Sequence, residues 1–258
     1  MLSLSKGTPI AKDSNDIIYL DTEDANENSR DSYDADSDSY DTDIGKEYES
    51  DGKLEPLMDM TDRDLVYIAG PSGSGKSTFA VNLINRFMRV YPKYPFYLFS
   101  RTHHKDDPAF KGMRVNQVML DESLISDPID ITKELTDGSI VLFDDINTVQ
   151  DDKIKKAINK LLEDILEVGR KLRIWCVITN HLVIPNEKKI ARTVLNELKK
   201  IVVFPKSGSS QQISYALKQY FGLSKKQIED IIQLPSRWVL VSKSYPMYVT
   251  HERGIYIL

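Results

Sequence analysis

The most constraining feature of this chain is an eight-residue loop that lies between a predicted strand and a predicted helix. Residues Leu65 to Ala69 form an apolar, partly β-branched run that is typical of a buried strand. The loop from Gly70 to Ser77, GPSGSGKS, matches the pattern G-x-x-x-x-G-K followed by Ser or Thr, and a helical segment begins near Phe79. The backbone N–H groups of such a loop, with the positive end of the helix dipole, bind phosphate oxygens. We therefore predict a nucleotide site and not a flexible Gly/Ser-rich linker.

The polar side chains of the loop have distinct expected roles. Lys76 is expected to reach the β- and γ-phosphates, and the Ser77 hydroxyl is expected to coordinate Mg²⁺. The residues predicted to bind the nucleotide are Gly70, Pro71, Ser72, Gly73, Ser74, Gly75, Lys76, Ser77 and Thr78.

A second stretch carries the carboxylates that such a site requires. The apolar run from Ser139 to Phe143 ends in Asp144 and Asp145, far enough after Lys76 to leave room for two more strands. In a P-loop protein Asp144 would hold Mg²⁺, and Asp145 would polarise the water that attacks the γ-phosphate. A strand that ends in an acidic turn is the alternative for this stretch alone. The loop and the carboxylates together are more specific than either motif, and they favour an NTPase.

Strands alternate with helices along the chain after residue 64. The predicted strands are residues 65–69, 94–100, 115–120, 139–145, 173–179, 201–204, 238–241, 247–250 and 254–258, and the predicted longer helices are 151–168, 187–200, 211–221 and 225–233. This order predicts an α/β fold, a P-loop NTPase with a central, mostly parallel sheet flanked by helices and a small C-terminal β end. Asn180 follows the strand expected beside the Asp-bearing strand, an extra-strand arrangement of ATPases, and is a candidate γ-phosphate sensor.

The first 60 residues differ in composition from the rest of the chain. They contain 17 acidic and 5 basic residues, whereas residues 61–258 contain 22 acidic and 29 basic residues. Because the N-terminal segment has few large aliphatic side chains and no sustained periodicity, we predict an acidic disordered tail at 1–60 and a P-loop ATPase domain at 61–258. Such a tail could compete with nucleic acid for the basic domain, dock a partner or only solvate the chain.

The composition favours a soluble, intracellular protein. Cys176 is the single cysteine, so no disulfide can form within the chain, as expected in a reducing compartment. The N-terminal residues lack the apolar stretch of a signal peptide, and no run approaches the roughly 18 apolar residues of a membrane span.

Six short motifs together share their pattern with one family. They are GPSGSGKST at 70–78, VLFDD at 141–145, Gly-Arg at 169–170, TNH at 179–181, PKSGS at 205–209 and LPSRW at 234–238. With these motifs, residues 64–258 resemble the genome-packaging ATPases of nucleocytoplasmic large DNA viruses, which belong to the FtsK/HerA superfamily of DNA-pumping motors. Two positions depart from the family pattern. Lys171 follows Gly-Arg where the family usually has His, and Asn180 stands where the superfamily often has Gln.

The resemblance implies an ATPase in which the loop residues bind ATP and Asp144 coordinates Mg²⁺. By the same resemblance Lys76 and Asp145 are catalytic, and Asn180 is the sensor. A ring motor also needs an arginine that reaches the γ-phosphate of a neighbouring subunit. The candidates are Arg170, which we prefer, and Arg192, and for each of them an ordinary surface salt bridge is the alternative.

The resemblance also implies a function and partners. The function is translocation of viral double-stranded DNA into the capsid, driven by ATP hydrolysis. The implied partners are double-stranded DNA, further copies of the chain in a homo-oligomeric ring, and capsid or inner-membrane viral proteins. The implied location is the host cytoplasm, in the viral factory, and the virion.

Two other classes share part of this pattern. A nucleoside or nucleotide kinase has the same loop and sheet, but the Asp144–Asp145 pair and the polar strand tip at Asn180 argue against it. A non-hydrolysing nucleotide-binding scaffold is the other alternative, and the intact Lys76, Ser77 and carboxylates argue against it.

Overall fold

The computed structural model describes residues 2–14, 16–21, 45–50, 54–185 and 188–258. The chain divides into two compact units: a terminal unit, Met1–Thr61 with Lys199–Leu258, and a central unit, Asp62–Leu198. The first boundary lies one residue after the predicted one, while the second, before Lys199, has no counterpart in the prediction. Among the described helices, none is both long and apolar enough to cross a membrane.

The N-terminal part of the terminal unit forms strands. They are β1 (Leu2–Ser3), β2 (Thr8–Asp13), β3 (Asp16–Leu20), β4 (Gly45–Glu49) and β5 (Glu55–Pro56). Antiparallel pairing joins four of them in the order β1-β3-β2-β5, and Ile10, Ala11, Ile18 and Leu20 are buried.

These strands correct the prediction of a disordered tail for the residues that form them. Short apolar clusters in TPIAKD and DIIYL supply enough buried surface for local sheet formation. They are not apparent from the composition of residues 1–60 as a whole, because that composition is dominated by acidic residues. The most acidic part of the predicted tail, residues 22–44, lies outside the described residues.

The central unit is built on a parallel sheet of five strands. They are β6 (Leu65–Ala69), β7 (Phe96–Ser100), β8 (Asn116–Met119), β9 (Ile140–Phe143) and β10 (Trp175–Asn180). Within this unit the strand order is β6-β10-β9-β7-β8, and every pairing is parallel. The predicted α/β class is confirmed, and β10 lies between the loop-bearing strand β6 and the Asp-bearing strand β9, as expected for an ATPase.

Helices cover both faces of this sheet. They are α1 (Lys76–Val90), α2 (Ser123–Ser126), α3 (Ile131–Glu134), α4 (Asp152–Glu167) and α5 (Lys188–Glu197). On one face, Phe87 of α1 packs against Trp175 with ring centroids 4.9 Å apart. Side chains alternate along a strand, so Ile178 points to the opposite face, where it lines a cavity together with Leu162 of α4.

The C-terminal part of the terminal unit contains four strands and two helices. They are β11 (Lys200–Val203), α6 (Ser210–Phe221), α7 (Lys225–Gln233), β12 (Val239–Ser242), β13 (Tyr248–His251) and β14 (Gly254–Ile257). The strands pair antiparallel in the order β11-β12-β13-β14-β4, which confirms the predicted C-terminal β end. Ser224 and Gln227 form the expected capping box at the start of α7.

Candidate active site

The glycine-rich loop connects β6 directly to α1. The backbone N–H of Gly70 donates to the carbonyl oxygen of Asn180 (3.1 Å), which fixes the loop entry beside the end of β10. Gly73 and Gly75 have φ values of 76° and 103°, which side-chain-bearing residues rarely adopt. Gly75 is the N-cap residue of α1 and has no side chain to cap it, so the first N–H groups of the helix are available to an anion.

Lys76 is held over the loop by groups from three segments. Its side chain is only 5% exposed, and Nζ donates to the carbonyl oxygen of Pro71 (3.3 Å). The same Nζ lies 3.4 Å from His181 Nδ1 and 3.8 Å from Asp145 Oδ1. The positive charge therefore sits between the loop and the residues that follow β9 and β10.

Thr179 connects the two adjacent carboxylate residues. Its hydroxyl donates to Asp144 Oδ1 (2.7 Å) and accepts from the backbone N–H of Asp145 (2.9 Å). Burial raises the pKa of Asp144 to about 6, although the hydrogen bond from Thr179 opposes this shift. The carboxyl group of Asp144 is thus placed where a nearby cation would favour its ionised form.

Asp145 is held in a strained backbone conformation beside a histidine. Its φ of 46° and ψ of 43° are left-handed, a conformation that costs a non-glycine residue about 1–3 kcal/mol. His181 Nε2 lies 3.3 Å from Asp145 Oδ2, and the two contacts of His181 fit one tautomer, in which Nε2–H donates to Asp145 and Nδ1 accepts from Lys76. Asp145 Oδ1 is buried, and no described residue donates a hydrogen bond to it.

A cavity of about 690 Å³ opens in front of these groups. Its walls are the glycine-rich loop, the first turns of α1, the segment Asp107–Ala109 and Asp145. A Cβ added at Gly73 would meet no atom within 4 Å, so the loop leaves space on its cavity side. The cavity thus combines uncapped N–H groups, a buried ammonium group, and oxygen atoms of Ser77 and Asp145 that can act as metal ligands. These groups fit a nucleoside triphosphate with a hard cation such as Mg²⁺.

Comparison with known proteins identifies the family. Residues 66–206, more than half of the chain, match the family described as "ATPase family associated with various cellular activities (AAA)". The chain belongs to this family. A protein of Sputnik virophage, "Uncharacterized protein V3", is 37% identical to this ATPase over 204 residues, which cover 79% of the chain and 81% of the virophage protein.

Solved structures share the fold of this AAA ATPase. B204, the DNA-packaging ATPase from Sulfolobus turreted icosahedral virus, superimposes with a TM-score of 0.50 at 12% identity, covering 76% of this chain and 98% of B204. The pCW3 conjugation coupling protein TcpA, solved with ATPγS, gives a TM-score of 0.50 at 16% identity, covering 76% of this chain and 62% of TcpA. At the level of the fold, the predicted resemblance to viral genome-packaging ATPases is confirmed.

Two of the predicted site residues of this ATPase lie away from the Lys76–Asp145 pair. The Oδ1 atom of Asn180 accepts from the backbone N–H of Leu182 (3.0 Å), and Asn180 lines the cavity beside α4. Strand alternation explains this placement, because Thr179 and Asn180 of β10 point to opposite faces of the sheet.

Arg170 is exposed in the turn after α4. Its charge acts on Arg63, which lies two residues before the start of β6, whereas Lys76 follows that strand. A five-residue strand spans about 16 Å, so Arg170 lies at the edge of the sheet opposite to the nucleotide cavity of its own subunit. Arg192, the second candidate, is exposed on α5.

Two residues of the site were not identified from the sequence as site residues. Thr179 holds both carboxylate residues, and His181 contacts Lys76 and Asp145. The signal was present in the tripeptide Thr179-Asn180-His181, since residues one and three of an extended stretch point to the same side. The prediction named Asn180 because it is a polar side chain at the tip of the predicted strand 173–179.

Proposed function

We propose that this AAA ATPase is a motor that hydrolyses ATP to move double-stranded viral DNA into a capsid, and that it works as a homo-oligomeric ring. The observation that carries the proposed hydrolysis is the position of Asp145, which lines the nucleotide cavity together with Lys76 and whose buried Oδ1 accepts no hydrogen bond from the described residues. A carboxylate oxygen in this state can accept a proton from water that attacks a γ-phosphate.

The residues in and beside the cavity would have different roles in hydrolysis. Residues Gly70 to Thr78 would bind the phosphates through backbone N–H groups, and Lys76 would leave Asp145 to contact the β- and γ-phosphates. Ser77 and Asp144 would hold Mg²⁺, which supplies charge neutralisation on the phosphate oxygens. Asp145, oriented by His181 and by the Thr179 hydroxyl at its backbone N–H, would act as the general base.

The proposal that the protein moves DNA is supported by its structural similarity to two known proteins and by the net positive charge of residues 61–258. B204 is a DNA-packaging ATPase and TcpA is a conjugation coupling protein, and this chain shares their fold. Residues 61–258 carry seven more basic than acidic side chains, which suits a protein that holds a phosphate backbone without reading its sequence. The proposal includes a capsid or inner-membrane viral protein as the docking partner and the host cytoplasm as the place of action.

The proposed function is tested by steady-state ATP hydrolysis with and without long double-stranded DNA. We expect DNA to stimulate hydrolysis, salt to weaken the stimulation, and Asp145→Asn to lower kcat by about 10²-fold or more because the general base is lost. The matched control is Asp127→Asn, which removes an exposed carboxylate outside the cavity and should leave the rate unchanged.

Two outcomes would contradict the proposal in different ways. Hydrolysis that ignores DNA but accelerates with an added nucleoside or nucleotide would indicate a kinase. Full activity of the Asp145→Asn variant would remove Asp145 from the mechanism while leaving the family assignment intact.

A further inference from the structure

A third cavity, of about 330 Å³, lies beside the C-terminal half of α1 in the central unit. It is lined by three cationic side chains, Arg89 from α1 and Lys111 and Arg114 from the connection between β7 and β8. Asn85 and the backbone around Gly112 complete its polar wall, and its lining contains no acidic residue. We call it the basic cavity.

The three cations of the basic cavity are exposed, and in the part of the chain that the structure describes they form no ion pair, although Lys111 also lines a neighbouring cavity with Asp106 and Asp107. Their side chains form no ion pair or hydrogen bond with a described residue. Other surface lysines of this ATPase do have partners, for example Lys133 with Asp130 and Lys155 with Asp152. Three like charges gathered around one cavity repel each other, and an anion bound there would relieve that repulsion.

The basic cavity adjoins the nucleotide cavity through one short segment. Asp107, Pro108 and Ala109 line the nucleotide cavity, and Lys111 to Arg114 line the basic cavity. The buried Phe110 lies between the two groups, and its carbonyl oxygen accepts from the backbone N–H of Met113 (3.1 Å). On α1, Asn82 and Asn85 are one turn apart and line the nucleotide cavity and the basic cavity, respectively.

We propose that the basic cavity binds backbone phosphates of double-stranded DNA, and that the segment Asp107–Arg114 couples this contact to nucleotide occupancy. The proposal rests on the proposed function, because it names the surface through which the motor would hold its DNA. Arg and Lys contact phosphate oxygens through charge-assisted hydrogen bonds and add affinity for any base sequence. A shift of Asp107 to Ala109 on ATP binding would move Lys111 and Arg114, so each ligand would change the affinity of the protein for the other.

The test removes the three charges together by the substitutions Arg89→Gln, Lys111→Gln and Arg114→Gln. Binding of a fluorescent DNA duplex is followed by anisotropy at several salt concentrations, with and without a non-hydrolysable ATP analogue. We expect DNA affinity to fall about tenfold or more, and the slope of log affinity against log salt to decrease by about 2–3. We also expect the effect of the ATP analogue on DNA affinity to disappear.

The matched control removes the same charge from another exposed surface of the central unit. Lys153→Gln, Lys156→Gln and Lys160→Gln change three exposed lysines of α4, none of which lines the basic cavity. We expect this variant to lose less than about threefold in DNA affinity and to keep its response to the ATP analogue. Thermal melting of both variants and direct titration with a fluorescent ATP analogue accompany the DNA measurements.

Three other outcomes would contradict the inference about the basic cavity, and one of them would also contradict the proposed function. Equal losses of DNA affinity in the two triple variants would show a general charge effect and would overturn the inference, while DNA-stimulated hydrolysis in the unsubstituted protein would preserve the proposed function. A loss of ATP affinity with unchanged DNA affinity would assign the basic cavity to nucleotide phosphates and overturn the inference. If the unsubstituted protein neither binds DNA nor responds to it, both the inference and the proposed function fail.

Discussion

The Nζ of Lys76 lies 3.8 Å from Asp145 Oδ1. The phosphates of ATP would compete with Asp145 for Lys76, because an ammonium group prefers the more highly charged oxygens. If Lys76 turned to the phosphates, the contact of Asp145 Oδ2 with His181 Nε2, which is 3.3 Å long here, would still be available to the carboxylate. His181 is therefore the side chain that would orient the carboxylate during turnover.

We predict that His181→Ala lowers kcat about 10- to 100-fold, because a misplaced general base loses alignment with the attacking water. The KM for ATP should change less than about threefold, since the phosphates are bound by the loop and not by His181. His181→Gln should recover part of the loss, because the Gln amide can donate to Asp145 as the histidine Nε2–H does. Steady-state kinetics with single-turnover controls measure both constants.

The control for this prediction is His103→Ala, which removes a histidine outside the nucleotide cavity. It should leave both constants unchanged. A rise in KM for His181→Ala at constant kcat would show that His181 serves nucleotide binding and would contradict its orienting role.

Among the secondary-structure elements, the end of α4 and the start of β10 are tied together by one buried side chain. The Arg63 guanidinium donates to the carbonyl oxygens of Ile165 (2.6 Å), Leu166 (3.0 Å) and Ile174 (2.8 Å). Two of these carbonyls belong to the last turn of α4, where carbonyl groups have fewer intrahelical partners, and that of Ile165 also accepts from the backbone N–H of Gly169 (3.1 Å). Burial lowers the pKa of Arg63, but an arginine stays protonated, so all three bonds are charge-assisted.

We predict that Arg63→Met lowers the free energy of unfolding by about 2–4 kcal/mol, because three buried carbonyl groups lose their charge-assisted hydrogen bond while the volume of the side chain is largely kept. Urea unfolding followed by circular dichroism measures the change. Arg170→Met, an exposed arginine in the following turn, is the control and should stay within about 0.5 kcal/mol of the unsubstituted protein. Equal midpoints for the two variants would show that water replaces Arg63 at these carbonyls.

Sequence patterns predicted elements better than they predicted side-chain directions. The helix at Lys225–Gln233 has the expected bounds because a capping box marks its start, and the buried strands of the central unit are long apolar runs. Strands β2 and β3 were missed because short apolar clusters pair with each other only in the folded chain. The contact of Lys76 with His181 joins residues 105 positions apart, and it depends on strand order, which local periodicity does not contain.

For the whole molecule, the position of Arg170 bears on the number of subunits that build one active site. Arg170 lies at the sheet edge opposite to the nucleotide cavity of its own subunit, near Arg63. If it stabilises the transition state, it must do so in a neighbouring subunit, as a ring with head-to-tail contacts would allow. Arg192, exposed on α5, is the other candidate for stabilising the transition state in a neighbouring subunit.

We predict that Arg170→Ala and Lys76→Ala are each nearly inactive in DNA-stimulated hydrolysis, since an arginine supplied in trans contributes about 10³–10⁵ in rate. When the two variants are mixed and allowed to exchange subunits, about a quarter of the interfaces combine an intact loop with an intact arginine, so about a quarter of the normal activity should return.

The parallel mixture of Arg192→Ala with Lys76→Ala decides between the two arginines. Arg173→Ala, an exposed arginine close in sequence, should remain active alone and serves as the control. Recovery in neither mixture, with both variants assembled, would mean that each subunit hydrolyses ATP with its own residues.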